Sequence, residues 1–225
     1  SFAAAGPVDF LVYSTAVEEG NPDFKAAPDT PRLHRSIALA EAIKLENAAT
    51  SIAVTGSCGK STVTAYLAEA LVNLGEDPAC LNGALVNRFA HGRFAGNYRT
   101  GSGRYFVFEA DESDKSLVNY EPDYAIVLNI ATDHYPKEEL ARVFAEFLNK
   151  VRKGAVLERE VYDAVKPMLK SDLRVVIFES KIGARGEYAV DRYRRVTMTD
   201  AIYVSGRRAA LAPSGDRVAS DADGA

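Results

Sequence analysis

The chain has 225 residues, a formal net charge of −4 and 47% hydrophobic residues, enough for a sizeable core in one or two domains. The mildly acidic balance gives no electrostatic reason to expect nucleic acid as a partner. No run approaches the roughly 18 consecutive apolar residues of a membrane span, and the first residues do not resemble a secretory leader. We therefore expect a cytoplasmic protein, in which Cys58 and Cys80 form no disulfide.

Apolar strands and amphipathic helices alternate along most of the chain. The pattern predicts strands over residues 8–13, 52–55, 79–81, 105–110, 123–130, 154–157 and 174–178. It predicts helices over residues 33–46, 60–74, 137–152 and 159–170. The third of these carries an apolar stripe formed by Leu140, Val143, Phe144, Phe147, Leu148 and Val151. Because strands such as Tyr-Phe-Val-Phe are apolar without alternation, we expect burial on both faces. The fold class is therefore α/β, a mostly parallel sheet flanked by helices.

The two ends of the chain differ in character from this central region. Before Thr50 we expect one strand and one helix without partner strands, so residues 1–49 are interpreted as the remnant of a preceding domain. Residues 50–212 are interpreted as the central domain, ending in short strands over residues 193–199, 201–204 and 207–211. The small, polar residues 213–225 are typical of a disordered or truncated end. No internal repeat is present in the sequence.

The strand at residues 52–55 leads through Gly56-Ser57-Cys58-Gly59-Lys60-Ser61, here called the phosphate loop, into a predicted helix. Glycines allow backbone N–H groups to approach phosphate oxygens, and the helix N-terminus adds its positive dipole. Lys60 supplies a cation, and the Ser61 hydroxyl suits Mg²⁺. Only two residues separate the glycines, whereas the common nucleotide-binding pattern has four. This spacing favours a particular ligase family over GTPases and transport ATPases.

A second group of polar residues, Glu109-Ala-Asp-Glu-Ser-Asp114, follows the strand at residues 105–110 and is here called the acidic loop. Four carboxylates in six residues cannot all be buried without neutralisation, because an unpaired buried charge is costly. At the carboxyl end of a parallel strand, beside a phosphate loop, a divalent cation is the natural neutraliser. The alternative is an ordinary solvated acidic loop.

A third group, Asn129-Ile-Ala-Thr-Asp-His134, also ends an apolar strand. The end of such a strand is where open α/β sheets bind ligands, and a neutral imidazole can ligate a cation or orient phosphate oxygens. His34 and His91 lack such a context, and we interpret them as surface or core-filling residues.

Together these three groups resemble the Mur ligase family, the ATP-dependent amide-forming enzymes of peptidoglycan precursor synthesis. Two further stretches share the resemblance, Ser14-Thr-Ala-Val-x-x-x-Asn21-Pro22 and Asn97-x-Arg99-x-Gly101-x-Gly103. It covers about residues 8–151. It implies a P-loop-type mononucleotide-binding domain from a ligase that adds an amino acid, L-alanine in the most similar branch, to UDP-N-acetylmuramate through an acyl phosphate. The implied cofactors are ATP and Mg²⁺.

The resemblance also implies roles for single residues. ATP would be held by Gly56, Ser57, Cys58, Gly59, Lys60, Ser61 and Thr62, with Lys60 at the β- and γ-phosphates. Ser61 and Glu109 would hold one Mg²⁺, and His134 would serve a second near the γ-phosphate and the substrate carboxylate. Lys60, Glu109 and His134 are thus the expected catalytic residues. Without the flanking domains of the family, we expect the 225-residue chain alone to be inactive.

The chain departs from the L-alanine-adding branch at several positions. That branch usually carries His and Thr where this chain has Cys58 and Ser61, and Met-Asp-x-Tyr after the Asp-His pair, where this chain has Tyr135-Pro136-Lys137. Alternatives are therefore a Mur-type ligase with another acceptor, a P-loop ATPase, and a non-catalytic nucleotide-binding module. We expect neither nucleic acid nor membrane as partner, and the oligomeric state stays open.

Overall fold

The computed structural model describes residues 8–45, 50–92, 95–131 and 135–179, together with the backbone of three short strands beyond them. The chain divides into two compact units, Ser1–Glu46 and Asn47–Ala225. Within the described residues, no helix is both long enough and apolar enough to cross a membrane.

In the first unit, residues 8–45 form two strands and two helices: β1 (Leu11–Tyr13), α1 (Pro22–Ala26), β2 (Arg32–His34) and α2 (Arg35–Leu45). Strands β1 and β2 pair in parallel, with Val12 opposite Leu33. The expectation of a single strand without a partner is therefore wrong, because Leu33 and His34, predicted as the start of a helix, instead form β2 with Arg32. Asn21 caps α1 by accepting a 2.9 Å hydrogen bond from the Asp23 N–H, so the Asn-Pro pair serves to begin a helix.

The second unit is built on one sheet of eight described strands. They are β3 (Thr50–Thr55), β4 (Ala79–Leu81), β5 (Tyr98–Arg99), β6 (Tyr105–Glu109), β7 (Tyr124–Val127), β8 (Gly154–Glu158), β9 (Val175–Glu179) and β10 (Tyr188–Ala189). The spatial order is β10-β9-β8-β7-β3-β6-β4-β5, and every pair is parallel except β4 with β5. This confirms the predicted α/β fold with a mostly parallel sheet.

Among the described residues, three α-helices accompany the sheet: α3 (Lys60–Asn73), α4 (Lys137–Leu148) and α5 (Arg159–Val165). Helix α3 packs on β3, β4 and β6, and α5 packs on β8 and β9. Helix α4 lies beside α5 and the short 3-10 helix Ser116–Asn119. The apolar stripe predicted for α4 is buried, including the fully buried rings of Phe144 and Phe147. Burial of one such side chain contributes about 1.5–3 kcal/mol.

The core between α3 and the sheet contains Val54, Ala68, Cys80, Phe89 and Val107. Burial raises the pKa of the Cys80 thiol to about 12. Cys58 is exposed, and both cysteines are free, as expected.

Several predicted element ends move. The helix predicted over residues 159–170 ends at Val165 and continues only as the 3-10 helix Lys166–Met168, because Pro167 cannot sit in a helix interior. The strand predicted over residues 123–130 ends at Val127, which leaves Asn129 in a loop. Strands β11 (Ala201–Val204) and β12 (Arg207–Ala210) form the predicted hairpin. The strand predicted over residues 193–199 and the end at residues 213–225 lie outside the described residues.

Candidate functional site

The phosphate loop connects β3, which ends at Thr55, to α3, which begins at Lys60. Gly56 and Gly59 have φ angles of 137° and 80°, a region that L side chains rarely adopt. A Cβ atom at Gly56 would also lie 3.1 Å from the backbone nitrogen of Asn129. A Cβ atom at Gly59 would have room, with its nearest neighbour, Leu128 Cδ1, at 3.7 Å. Gly56 is thus required by both packing and conformation, and Gly59 by conformation alone.

The loop after β7 holds the phosphate loop in place. Asn129 Oδ1 accepts a hydrogen bond from the Cys58 N–H at 3.0 Å, and Asn129 Nδ2 donates to the Cys58 carbonyl at 3.0 Å. The Ala131 N–H donates to Ser57 Oγ at 2.9 Å. The Asn129 side chain thereby pairs with both backbone groups of Cys58, as the peptide group of a neighbouring strand would. The Cys58 N–H of the phosphate loop already donates within the protein.

Lys60 lies between the phosphate loop and the acidic loop. Its Nζ donates to the Gly56 carbonyl at 3.0 Å and lies 2.9 Å from Glu112 Oε2 and 3.9 Å from Asp111 Oδ1. Glu112 is only 4% exposed, and its Oε2 accepts no hydrogen bond of good geometry from any described residue, so its contact with Lys60 is an ion pair. A buried carboxylate needs such a partner, because an uncompensated charge in a low-dielectric interior is costly. The acidic loop is thus partly neutralised by Lys60.

Glu109 and Ser61 are held by the loop that follows β4. The Gly83 N–H donates to Glu109 Oε2 at 2.8 Å, and a Cβ atom at Gly83 would lie only 2.6 Å from that oxygen. Asn82, which is buried, donates through Nδ2 to the Ser61 carbonyl at 3.0 Å. Sequence reasoning missed Asn82 and Gly83. The available signal was an Asn-Gly pair directly after a strand that ends at the same sheet edge as the phosphate loop.

The parallel register explains why these segments meet. Strand β3 lies between β6 and β7, so the phosphate loop, the acidic loop and the loop after β7 all leave the same edge of the sheet. Thr62 lies in the first turn of α3, where backbone N–H groups have no partner within the helix. His134 and its neighbour Asp133 lie outside the described residues.

Among the described residues, no group of three or more His, Cys, Asp or Glu side chains is arranged to hold a metal ion. Mg²⁺ does not require such a group, because it usually takes one or two carboxylates and completes its octahedron with phosphate and water. The hard oxygen donors of Ser61 and Glu109, each on a segment anchored by the Asn82-Gly83 pair, fit that ion.

Residues 97–103 run from the carboxyl ends of the strands, where the Asn97 carbonyl accepts a hydrogen bond from the Asn82 N–H, to the amino ends, because β5 is antiparallel to β4. Arg99 Nη2 donates to Asp77 Oδ1 at 2.8 Å, and both the N–H and the hydroxyl of Ser102 donate to Asp77 Oδ2. The hydrogen bonds from Ser102, followed by that from Arg99, lower the pKa of Asp77 to about 2. Asp77 precedes β4 and Ser102 precedes β6, so their hydrogen bonds stabilise a turn at the amino ends of these two strands.

Comparison with known proteins identifies the family to which this chain belongs. The model of the Mur ligase middle domain matches residues 54–206, more than half of the chain. A UDP-N-acetylmuramate--L-alanine ligase from Janthinobacterium sp. (strain Marseille) is 36% identical over 150 residues, 64% of this chain and 30% of that protein. The chain therefore spans about a third of the length of this curated relative.

Two solved structures share the fold. The UDP-N-acetylmuramate-alanine ligase from Thermotoga maritima superposes with a TM-score of 0.68 at 25% identity, over 84% of this chain and 42% of that one. A MurF ligase from Thermotoga maritima, solved in complex with ADP, superposes with a TM-score of 0.54 at 16% identity, over 91% of this chain and 53% of that one.

Proposed function

This chain belongs to the Mur ligase family, and we propose that it is the central, ATP-binding part of a ligase that joins L-alanine to UDP-N-acetylmuramate. The names of the similar ligases from Janthinobacterium and Thermotoga maritima support that reaction, and the ADP complex of a protein of the same fold supports the nucleotide. A cytoplasmic location belongs to the same proposal.

One observation carries the nucleotide site: Lys60 follows the glycine loop at the carboxyl edge of the sheet, with its ammonium group next to the Gly56 carbonyl and the acidic loop. An ammonium group on the first residue of a helix adds to the positive end of the helix dipole. Phosphate oxygens are the ligands that suit such a position. The alternative of a GTPase-type loop is disfavoured by the two-residue spacing between the glycines.

In the proposed reaction, a substrate carboxylate oxygen attacks the γ-phosphorus of ATP, and ADP leaves. The amino group of L-alanine then attacks the acyl phosphate, an amide forms and phosphate departs. Both steps bring anions together, so the protein's main task is to neutralise charge. Lys60 and the backbone N–H groups from Gly59 to Thr62 would hold the phosphates. Ser61 and Glu109 would hold one Mg²⁺ and His134 would serve a second, and these ions would neutralise phosphate charge.

The isolated chain is proposed to bind ATP but not to turn it over. Capture of an acyl phosphate requires the amine to be held about 3–3.5 Å from the carbonyl carbon, which one domain alone can hardly achieve. A Mur-type ligase with another acceptor is the second candidate, favoured by Tyr135-Pro136-Lys137, where the chain departs from the L-alanine-adding branch.

Titration calorimetry with ATP and Mg²⁺ tests the nucleotide site. We expect Lys60→Ala to weaken binding about 10- to 100-fold, the loss that corresponds to one charged hydrogen bond to phosphate. Lys166→Ala, which removes an exposed lysine paired with Asp163 outside the site, is the matched control. Equal binding heats for wild type and Lys60→Ala would contradict the proposal.

The substrate half needs the full-length protein and a coupled phosphate assay. Phosphate release should require ATP, UDP-N-acetylmuramate and the correct amino acid together, with L-alanine the best of a panel. Indifference to UDP-N-acetylmuramate would favour the second candidate. Amino-acid-dependent turnover by the 225-residue chain would show that the flanking regions are not needed.

A further inference from the structure

A cluster of three side chains, Lys115, Tyr135 and Glu139, joins the acidic loop to the start of α4. The Tyr135 hydroxyl donates to the Ser113 carbonyl at 2.9 Å. Lys115 Nζ lies 2.5 Å from Glu139 Oε1 and 4.3 Å above the centre of the Tyr135 ring. Two contacts therefore attach this part of the chain to the start of α4. Tyr135, just before the helix, holds Ser113 of the acidic loop, and Glu139, in its first turn, holds Lys115, which directly follows that loop.

The backbone at this attachment is unusual. Lys115 has a φ angle of 59°, the left-handed region that non-glycine residues rarely adopt. Its N–H donates to the Glu112 carbonyl at 3.0 Å and closes a turn. Since a lysine does not favour this conformation by itself, surrounding contacts must hold it. Beside local hydrogen bonds such as that from the Ser116 N–H to Asp114 Oδ1, the contacts of the Lys115 side chain with Tyr135 and Glu139 can hold it.

The turn closed by Lys115 begins at Glu112, whose carboxylate forms the buried ion pair with Lys60. A hydrogen bond from Tyr135, the backbone of the turn and the ion pair of Glu112 therefore connect Tyr135 to the ammonium group of Lys60. We propose that Tyr135, with Lys115 and Glu139, is a positioning residue that fixes this turn so that Glu112 holds Lys60 beside Gly56. The contact stands independently of any ligand, whereas its meaning for ATP rests on the proposed function.

The competing explanation is a purely structural one. Lys115 and Glu139 are each 41% exposed, and an exposed ion pair contributes little to stability. The tyrosine hydroxyl is different, because it bonds to a backbone carbonyl inside the turn and cannot be replaced there by phenylalanine. Tyr135→Phe therefore separates the two explanations: a positioning role changes the environment of Lys60, and a structural role changes only the overall stability.

The test is the rate at which an amine-acylating reagent modifies Lys60 in the 225-residue chain without nucleotide, measured by peptide mass spectrometry. An ion-paired ammonium reacts slowly, so Glu112→Gln should accelerate modification of Lys60. Tyr135→Phe should accelerate it about fivefold, the change that corresponds to one net hydrogen bond. The double variant that combines Tyr135→Phe with Glu112→Gln should react no faster than Glu112→Gln alone, because Tyr135 acts through Glu112.

Tyr162→Phe is the matched control, since Lys166 lies 5.9 Å from the centre of the Tyr162 ring on another helix. It should leave Lys60 unchanged. Lys150 and Lys170, which donate to the carbonyls of Val118 and Val151, report any general loosening in the same samples. If Tyr135→Phe does not fold, Glu139→Gln takes its place, with a smaller acceleration expected that is still selective for Lys60, because the Lys115–Glu139 pair is exposed.

The proposal is overturned if Tyr135→Phe, or its replacement Glu139→Gln, leaves Lys60 as slow as in wild type. It is also overturned if all lysines accelerate together, or if Glu112→Gln has no effect on Lys60. Failure of the proposed function would instead appear as absence of ATP binding by the wild-type chain, which leaves the acylation result fully interpretable.

Discussion

Two pairs of glycines stand out in the chain, Gly56 with Gly59 and Gly101 with Gly103, and the structure gives them opposite tasks. The first pair follows β3 at the carboxyl ends of the parallel strands and turns the chain into α3. The second pair precedes β6 at the amino ends of the strands. Cβ atoms at Gly101 and Gly103 would lie 2.4 Å and 2.6 Å from the Asp77 carbonyl oxygen.

The difference lies in what fills the space beside each glycine. At Gly101 and Gly103 the protein's own backbone does so, and the Gly103 N–H donates to the Asp77 carbonyl at 2.8 Å. At Gly59 a Cβ atom would meet only the end of the Leu128 side chain, 3.7 Å away. A glycine whose space is filled by backbone indicates folding, whereas a glycine with free space and a left-handed backbone before a helix is compatible with a ligand.

Replacing Gly101 should have the largest effect on stability. A Cβ atom there would lie 2.3 Å from the Pro78 carbonyl carbon, so β4 or the segment before β6 must move. We expect Gly101→Ala to lower the free energy of unfolding by about 1–3 kcal/mol or more, measured by urea denaturation, with ATP affinity of the folded fraction unchanged. Gly20→Ala is the control, because no described residue would lie within 4 Å of a Cβ atom there. Unchanged stability of Gly101→Ala would show that the two glycine pairs do not differ as described.

Replacing Gly59 should affect both stability and binding. Its φ of 80° makes alanine unfavourable by about 1–2 kcal/mol. Since Gly59 directly precedes Lys60, we also expect weaker binding of ATP with Mg²⁺. Gly75→Ala is a close control, because Gly75, just beyond the other end of α3, has a φ of 82°, and a Cβ atom there would have no atom of a described residue within 4 Å. The two variants should lose similar stability in urea, but only Gly59→Ala should lose affinity in calorimetry. Equal affinities would place the nucleotide elsewhere.

Asp77 should give the smallest effect, visible only against pH. Its pKa falls from the ordinary 3.8 to about 2, mainly through the Ser102 hydrogen bonds and then through Arg99. A carboxyl group with a depressed pKa stabilises the fold above its unfolded pKa and loses that contribution as the pH falls through the folded value. The urea midpoint of wild type should therefore exceed that of Asp77→Asn above about pH 4, and the two should converge towards pH 2.

Asp163→Asn is the control for removal of an exposed carboxylate that contacts a lysine. If the difference in urea midpoint between wild type and Asp77→Asn stays constant from pH 7 to pH 2, the charge of the carboxylate is not what holds the turn.

Much of the molecule follows from the sequence by itself. Unbroken apolar runs predicted the buried parallel strands, since both faces of such strands must be covered, and the 3.6-residue stripe of α4 predicted which side chains are buried. The loop spacing and the acidic loop identified the family that the middle-domain model confirms. These signals are local, because hydrophobic periodicity and glycine spacing are properties of adjacent residues.

Only the tertiary structure decided how distant residues act on one another. Strand order decides that Glu112, rather than Glu109, contacts Lys60. It also decides that Asn82 and Gly83 hold the segments that carry Ser61 and Glu109. The contact of Arg99 with the Asp77 turn depends on it in the same way. The pairing of β2 with β1 was missed for the same reason, since a three-residue strand has too little periodicity to be distinguished from a helix start. Hydrogen bonds and ion pairs act over about 3–4 Å, and the sequence does not specify which distant residues the fold brings that close.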